Sequence, residues 1–398
     1  MIIELYKGDL FLKKQYKPII IFFIIFLVCF NIPFVNGIKV KSNNIQDRYQ
    51  YYNYQNMTSL LLELYKNNSD IMHLESLDKT YENRDIWFVK LSDNASLDEN
   101  EPGVLLMGAH HGNEKPSFEI LIYFIKHIID NYRKKNTDND NDGEINEDII
   151  DGFDNDLDGL VDEDPSEDRV REVINNTQIF LIPMVSPDGV EANTRKNCAP
   201  NYGLFDLGDK ITSYGVNLNR NYDYMWNLQF LFPFRYHISN ILDRSFNYRG
   251  PYPFSENESR AVKSLVEKSN ISISLSYHTY LEAIFYPWTH TSLKTPHEEL
   301  FISVGKNMTR INKYELLING WKNKSYIIPR LGGNLGTSEN WLYGVHGIIA
   351  YTVELCKTRA PTDPEIVYDY LVKHVGVNLY VCERSWTIED EKSIAIKN

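Results

Sequence analysis

The feature that most constrains the fold is an alternation of short apolar runs with longer amphipathic segments, from about Asn56 to the end of the chain. Apolar runs bounded by turn residues predict buried strands, and apolar residues at helical spacing predict helices packed against them. The alternation therefore predicts one α/β domain, with a mixed, mostly parallel sheet flanked by helices in three layers. The predicted strands are 85–91, 103–109, 178–185, 271–278 and 347–355, and the predicted helices are 117–132, 255–268 and 364–384.

Two of these helices carry signals for their N-terminal ends. Ser117 is the predicted N-cap of the helix that ends at Tyr132. Ser255 and Glu258 form a capping-box pattern at the start of the next helix.

Polar residues follow three predicted strands at their carboxyl ends, where open α/β sheets gather their functional groups. His111 and Glu114 lie in the stretch GAHHGNEKPS, just after strand 103–109. His278 and Glu354 lie at the ends of two further strands. A His-x-x-Glu spacing alone is a weak signal in a chain with 10 histidines and 54 acidic residues. The stretch by itself leaves open whether it holds metal ligands or ordinary loop residues.

Four further stretches follow HHGNE in a fixed order. They are SPDG at 186–189, GVNLNRNYD at 215–223, SLSYHTYLEAIFYPW at 274–288 and AYTVELC at 350–356. Each is weak alone, but the ordered set is highly specific. It resembles the zinc carboxypeptidase family of the pancreatic carboxypeptidases A and B, over about residues 56–384 and excepting an acidic insert.

The resemblance implies a catalytic zinc ion with His111, Glu114 and His278 as its ligands. A catalytic zinc ion takes three protein ligands, keeps one position for water and lowers the pKa of that water to about 7. Glu354 would act as general base toward the water and then pass the proton to the leaving amine. Arg195 would stabilise the oxyanion.

The resemblance also assigns the substrate side of the cleft. Asn219 and Arg220 would bind the terminal carboxylate of the substrate, which makes such an enzyme an exopeptidase. Alignment on Trp341 places Glu339 in the pocket for the departing side chain, where a shielded carboxylate would favour Lys or Arg. Alternatively, Glu339 would point outward or cap the loop, and Thr289 and Thr352 would leave a broad pocket. Tyr326 is the nearest candidate for the family's mobile-loop tyrosine.

Two positions near the zinc ligands depart from the pattern of carboxypeptidases A and B. Asn113 replaces a substrate-contacting arginine, although the branch related to carboxypeptidases N and E also has HGNE. Asn217 stands where many relatives have an aspartate that orients the first zinc histidine. An amide carbonyl can accept the same imidazole N–H but lends it less basicity. His110 is assigned a structural role, because the His-x-x-Glu spacing selects His111.

An acidic insert at 137–168 interrupts the alternation. Between Asp138 and Asp168 it has 15 acidic residues and no Lys or Arg, so the rest of the chain is nearly neutral despite a net charge of −13. Two in-phase D-x-D-x-D-G patterns match the first half of a calcium loop, and Ca²⁺ binding is predicted. Neither pattern has the closing glutamate, so a solvated acidic insert is the alternative. The candidate calcium ligands are Asp138, Asp140, Asp142, Asp154, Asp156 and Asp158.

The N-terminus predicts export. In residues 1–37, lysines precede the apolar run 19–30, which is typical of a cleaved secretory signal. An uncleaved membrane anchor over 19–35 is the alternative. In both cases a short segment, 38–55, and a catalytic domain, 56–398, would be secreted or held on the extracytoplasmic face of the membrane.

Two further features bear on the compartment. Several Asn-x-Ser/Thr sequons, among them Asn56 and Asn94, agree with export. Outside the apolar run, Cys198, Cys356 and Cys382 allow at most one internal disulfide, and its pairing is open.

The combined prediction is an exported, monomeric zinc metallocarboxypeptidase. Its partners would be peptides or proteins with a free C-terminal carboxylate, with a weak preference for C-terminal Lys or Arg. The alternatives are a cell-wall peptide or amide hydrolase on the same scaffold and a catalytically inactive peptide-binding protein. A complete set of catalytic groups argues against the inactive protein. The chain has no basic footprint of the kind that binds nucleic acid.

Overall fold

The computed structural model describes residues 48–133, 166–198, 215–227, 245–318 and 334–395. All of them lie in one compact unit that begins at Arg48. The predicted N-terminal signal or anchor, the six candidate calcium ligands and Tyr326 lie outside the described residues. Within these ranges, no helix is both long and apolar enough to cross a membrane.

One eight-stranded sheet organises the described residues. Its strands are β1 (Met72–Lys79), β2 (Asp85–Leu91), β3 (Gly103–Met107), β4 (Gln178–Ile182), β5 (Ile271–Thr279), β6 (Ala283–Tyr286), β7 (Glu315–Ile318) and β8 (Ile349–Leu355). The α-helices described are α1 (Tyr54–Asn67), α2 (Pro116–Tyr132), α3 (Ser166–Asn176), α4 (Pro187–Glu191), α5 (Asn257–Val266), α6 (Glu298–Asn312), α7 (Ser338–His346) and α8 (Pro364–Ala395).

The strand order is β1-β2-β4-β3-β5-β8-β6-β7. The four central strands β4, β3, β5 and β8 are parallel, while β2 and β6 join them as antiparallel neighbours. Parallel strands need crossover connections, and here helices supply them. The predicted mixed, mostly parallel sheet is confirmed.

Helices cover both faces of the sheet. Successive side chains of a central strand point to opposite faces, so apolar residues on both faces need a covering layer. Val104 and Leu106 of β3 belong to the larger core, which includes residues of α1, α2, α3, α6 and α8. Leu105 and Met107 belong to a second core, which includes residues of α5 and α7. This arrangement is the predicted three-layer α/β/α domain.

Two predicted helix starts are wrong. Helix α2 begins at Pro116, so Ser117 lies inside the first turn and is not the N-cap. Proline is favoured at the first helical position because its φ is already helical. The Ser117 hydroxyl instead accepts a hydrogen bond from the backbone N–H of Ala109 at 3.0 Å.

The capping box at helix α5 is not formed. The N-cap is Glu256, without a side-chain cap bond. The Ser255 hydroxyl is used elsewhere, because it accepts from Asn221 Nδ2 at 2.9 Å and donates to Glu256 Oε1 at 2.6 Å. Because its hydroxyl makes these two contacts, Ser255 does not cap the helix as predicted.

The disulfide that the sequence left open is not formed between described residues. Cys198, Cys356 and Cys382 are all free thiols. Cys356 and Cys382 are buried, whereas Cys198 is partly exposed.

Candidate active site

The loop after β3 carries His111 and Glu114 into the cleft. It packs against α4, and an added Cβ on Gly112 would lie 1.9 Å from the carbonyl carbon of Gly189. Only glycine allows this approach, because every other side chain would collide with the opposing backbone. The glycines of HGNE and SPDG therefore lie against each other. Asn113 adds a backbone bond to the carbonyl of Thr194 at 2.9 Å.

Three buried donor side chains converge at the carboxyl end of the sheet. The ligand atoms of His111, Glu114 and His278 all lie within 4.8 Å of one another. Nδ1 of His111 is 3.0 Å from one carboxylate oxygen of Glu114, and Nδ1 of His278 is 3.0 Å from the other. The two Nδ1 atoms are 3.2 Å apart. All three residues are at most 3% exposed.

Asn217 determines which nitrogen of His111 faces the cluster. Its Oδ1 lies 3.0 Å from His111 Nε2, while its Nδ2 donates to the carbonyl of Phe246 at 3.1 Å. The amide is thereby oriented, and Nε2–H of His111 donates to it. The lone pair of His111 Nδ1 is left for a metal. With two imidazole nitrogens and one carboxylate, the donor set fits a catalytic zinc ion.

Glu354 lies beside this cluster. It pairs in register with His278 across β5 and β8. Burial raises its pKa to about 7, with the charge of Glu114 adding to the shift and those of His278, Arg195 and Arg220 opposing it. A carboxylate with a pKa near neutrality is suited to general-base catalysis.

Shifted pKa values keep His111 neutral and Glu114 ionised, the forms in which these side chains bind metal. Burial, followed by the charge of Arg195, lowers the pKa of His111 to about 3, so this imidazole is neutral. Burial alone would raise the pKa of Glu114. Its contacts with His111 and His278 outweigh that effect and hold the pKa of Glu114 well below its ordinary value.

Two arginines flank the cluster. Arg195 donates from Nη1 to Glu114 Oε1 at 2.9 Å. Arg220 donates to the carbonyl of Asn219 at 2.5 Å and to Asn334 Oδ1 at 2.8 Å. Burial and the charge of Arg195 lower the Arg220 pKa to about 10, so the guanidinium stays charged near neutral pH.

Asn219 lies between the cluster and helix α7. Its Oδ1 accepts from the backbone N–H of Ser338 at 2.9 Å, which directs Nδ2 toward His278 Nε2 at 3.3 Å. The Asn219 amide hydrogens therefore face Nε2 of His278.

Glu339 faces the protein interior and is 3% exposed. Its Oε1 accepts from the Thr289 hydroxyl at 2.8 Å. Its Oε2 is buried and has no hydrogen-bond partner within the described ranges, and the same holds for Thr352 Oγ1. An outward-pointing Glu339, one of the alternatives left by the sequence, does not match this placement.

A sequence model of the zinc carboxypeptidase family matches residues 57–374. The chain belongs to the zinc carboxypeptidase family. It is 27% identical over 321 residues to a zinc carboxypeptidase of Saccharothrix mutabilis subsp. capreolus, covering 77% of this chain and 62% of that protein. It is 25% identical over 320 residues to carboxypeptidase O of Bos taurus, covering 78% and 72%. The fold matches the crystal structure of carboxypeptidase A from Helicoverpa armigera with a TM-score of 0.63 at 18% identity, covering 87% of this chain and 76% of that chain.

This zinc carboxypeptidase family member has site residues that the sequence did not identify. His110 is fully buried behind the cluster and stacks on His278 with ring centroids 5.7 Å apart. Asn334 contacts Arg220. The polar alternation Ser272, Ser274, Ser276 in an otherwise apolar strand is a signal that could have indicated buried partners for β5.

Proposed function

We propose that this chain is a zinc metallocarboxypeptidase that hydrolyses the C-terminal peptide bond of peptides or proteins. The observation that carries the proposal is the buried convergence of His111, Glu114 and His278 beside Glu354. Family membership supports it. The aligned part of this chain spans 62% of the Saccharothrix relative, less than two thirds of its length.

The three ligands would hold zinc, which supplies a Lewis acid and brings the pKa of water to about 7. Glu354 accepts a proton from the attacking water at its carboxylate and delivers it to the leaving amine. Arg195 offers guanidinium donors to the charge that develops on the scissile carbonyl oxygen. Its contact with Glu114 keeps it next to the reacting atoms.

The substrate's α-carboxylate binds at Arg220. The contacts of this guanidinium with Asn219 and Asn334 keep it oriented, and a planar guanidinium can hold a carboxylate by two parallel bonds. Asn219 Nδ2 supplies a further donor. Such a clamp requires a free C-terminus, which distinguishes an exopeptidase from an endopeptidase.

The metal centre is tested by ligand substitution. His111→Ala and His278→Ala should lose zinc and activity together, because each removes one of three ligands. His73→Ala is the matched control. His73 is a partly exposed residue of β1, so this variant should retain both zinc and activity. Full zinc content in either ligand variant would contradict the proposed site.

A preference for C-terminal Lys or Arg is proposed on the basis of Glu339. Its buried, unpartnered Oε2 is an acceptor suited to a cationic side chain, and the Thr352 hydroxyl is a second buried group without a partner among the described residues. The measurement is kcat/KM for peptides ending in Lys, Arg, Leu or Phe. With Glu339→Gln, the preference for Lys should fall by roughly tenfold to a hundredfold, because the bonds to charge are worth about 1.5–3 kcal/mol. An unchanged ratio would show that Glu339 does not determine specificity.

The two alternative functions predict different assays. A cell-wall peptide or amide hydrolase would cleave amide substrates that lack a free α-carboxylate. An inactive peptide-binding protein would bind zinc and peptide without turnover. Peptides with free and amidated C-termini, assayed with metal analysis, separate these functions from a carboxypeptidase.

Export and calcium binding are proposed from the sequence pattern. Mature protein that begins near residue 38 would indicate a cleaved signal, whereas membrane-bound protein that begins at Met1 would indicate an anchor.

If the insert 137–168 binds calcium, Ca²⁺ should raise the melting temperature of the protein, because a ligand of the native state stabilises that state. If a variant without the insert shows the same rise in melting temperature with Ca²⁺, the insert is not the calcium site. A monomer is expected and is checked by light scattering.

A further inference from the structure

A chain of four buried side chains leads away from the proposed zinc site. Tyr222 Oη lies 2.8 Å from His110 Nε2, and His110 Nδ1 lies 3.1 Å from Ser276 Oγ. Ser276 Oγ in turn lies 3.2 Å from His278 Nε2. Tyr222 and His110 are 0% exposed, Ser276 is 1% exposed and His278 is 2% exposed.

Metal binding through His278 Nδ1 determines the proton positions along this chain. A neutral imidazole that offers Nδ1 to a metal carries its proton on Nε2, and that N–H needs an acceptor. If Ser276 Oγ accepts it, the single hydroxyl proton of Ser276 is free to go to His110 Nδ1. The remaining proton of His110 then lies on Nε2 and is donated to Tyr222 Oη. Every link has one donor and one acceptor.

Asn219 cannot replace Ser276 as the acceptor. The bond from Ser338 N–H to Asn219 Oδ1 leaves only the NH₂ end of the amide near His278 Nε2. An NH₂ group donates, so it favours the opposite tautomer, with the proton on Nδ1. On the Nε2 side of the ring, Ser276 and the group that orients its hydroxyl therefore decide whether the Nε2 proton has an acceptor.

We propose that His110 is a positioning residue for metal binding: it accepts the Ser276 proton and thereby holds His278 in the tautomer with a free Nδ1. This inference rests on the proposed zinc site. Without an acceptor at position 110, the Ser276 hydroxyl would donate to His278 Nε2. The proton of His278 would then occupy Nδ1, the atom needed by the metal.

The test uses four variants of the full chain. His110→Phe keeps a flat ring but removes the acceptor, and His110→Asn restores one near the position of Nδ1. Ser276→Ala removes the acceptor of His278 directly. Ser274→Ala is the matched control, because this serine lies on the same face of β5 but donates to the carbonyl of Leu105 at 2.9 Å.

Zinc dissociation constants come from competition with a chelator. His110→Phe and Ser276→Ala should bind zinc about 10–100-fold more weakly, the usual effect of losing a partner behind a metal ligand. His110→Asn should recover most of the affinity, and Ser274→Ala should match the wild type.

The outcomes separate this inference from the proposed function. If the wild type fails to bind zinc, the proposed site is wrong. If the wild type binds zinc and both His110→Phe and Ser276→Ala bind it equally well, the positioning role is wrong and the zinc site stands. Should His110→Phe fail to fold, the comparison of Ser276→Ala with Ser274→Ala decides the question. Equal affinity of those two would overturn the inference.

Discussion

The metal side and the pocket side of the cleft differ in how far the protein satisfies its own polar atoms. On the metal side, both nitrogens of His111 and both nitrogens of His278 have partners. On the proposed pocket side, Glu339 Oε2 and Thr352 Oγ1 are buried without hydrogen-bond partners in the described part of the chain. A buried polar atom without a partner costs about 1–3 kcal/mol.

This difference indicates what each side is built for. The metal side is oriented in advance, so a bound ion meets ligands that are already in place. On the proposed pocket side, the unpartnered Glu339 Oε2 is the acceptor that we propose a cationic substrate side chain satisfies. Most of the binding energy for the departing residue should therefore come from the pocket, and the chemistry from the metal side.

Glu354→Gln separates the chemistry from metal binding, because it leaves the zinc ligands untouched. Zinc content should remain normal, while kcat should fall about 10²–10⁴-fold, the usual range for a lost general base. Steady-state kinetics and metal analysis provide the measurement. Glu282→Gln is the control, because Glu282 is bound to Lys357 at 3.3 Å and has no role in the mechanism. Near-normal turnover of Glu354→Gln would refute the mechanism.

Arg220→Gln should affect substrate binding and leave the metal in place. The substitution removes charged bonds to the α-carboxylate worth about 1.5–3 kcal/mol, so kcat/KM should fall roughly tenfold to a hundredfold. Arg310→Gln, an exposed arginine that contacts Asn307, is the control. A loss of zinc in Arg220→Gln would show that the two sides of the cleft are not separable.

The pH profile should report Glu354. The group acts as a base only when ionised, so activity is retained above its pKa and decreases as the pH falls below it. Burial raises that pKa to about 7, and the charge of a bound cation lowers it again. The acid limb of kcat/KM should therefore lie between the ordinary carboxylate range and 7, with about a tenfold loss per pH unit below it. An identical limb in the residual activity of Glu354→Gln would assign it to another group.

The smallest expected effect concerns Asn217. In Asn217→Asp, a carboxylate would accept the N–H of His111 and raise the basicity of the ligand. Zinc affinity should increase by up to about tenfold. Asn247→Asp adds the same charge nearby, since Asn247 Oδ1 lies 3.5 Å from Asn217 Nδ2, but it does not contact His111. Equal tightening in both variants would indicate a general effect of charge.

The central strands and the metal donors could be predicted because their signals are local. Strand β2 has the predicted bounds, 85–91, and β5 and β8 end near His278 and Glu354 as predicted. An apolar run marks a buried strand, and the order of short motifs indicates a shared cleft. Strands β6 and β7 were not predicted. Each has only four residues, too few to show a period.

Other features could not be predicted because they depend on tertiary contacts. Helix α8 continues to Ala395, beyond the predicted end at 384. Trp386 in this extension donates to the Thr177 hydroxyl at 2.6 Å, a partner far away in sequence. His110 gave no sign of its role, because its partners Tyr222 and Ser276 come from distant segments. The inward orientation of Glu339 likewise depends on Thr289.

The central claim is that the cleft removes one residue from a free C-terminus. The most direct measurement uses zinc-loaded protein and one peptide ending in lysine, supplied as the free acid and as the C-terminal amide. Mass spectrometry follows the products over time. We expect loss of the terminal lysine from the free acid, with the amide cleaved at least tenfold more slowly, because Arg220 loses a charged partner. Equal cleavage of both peptides, or cleavage at an internal bond, would contradict it.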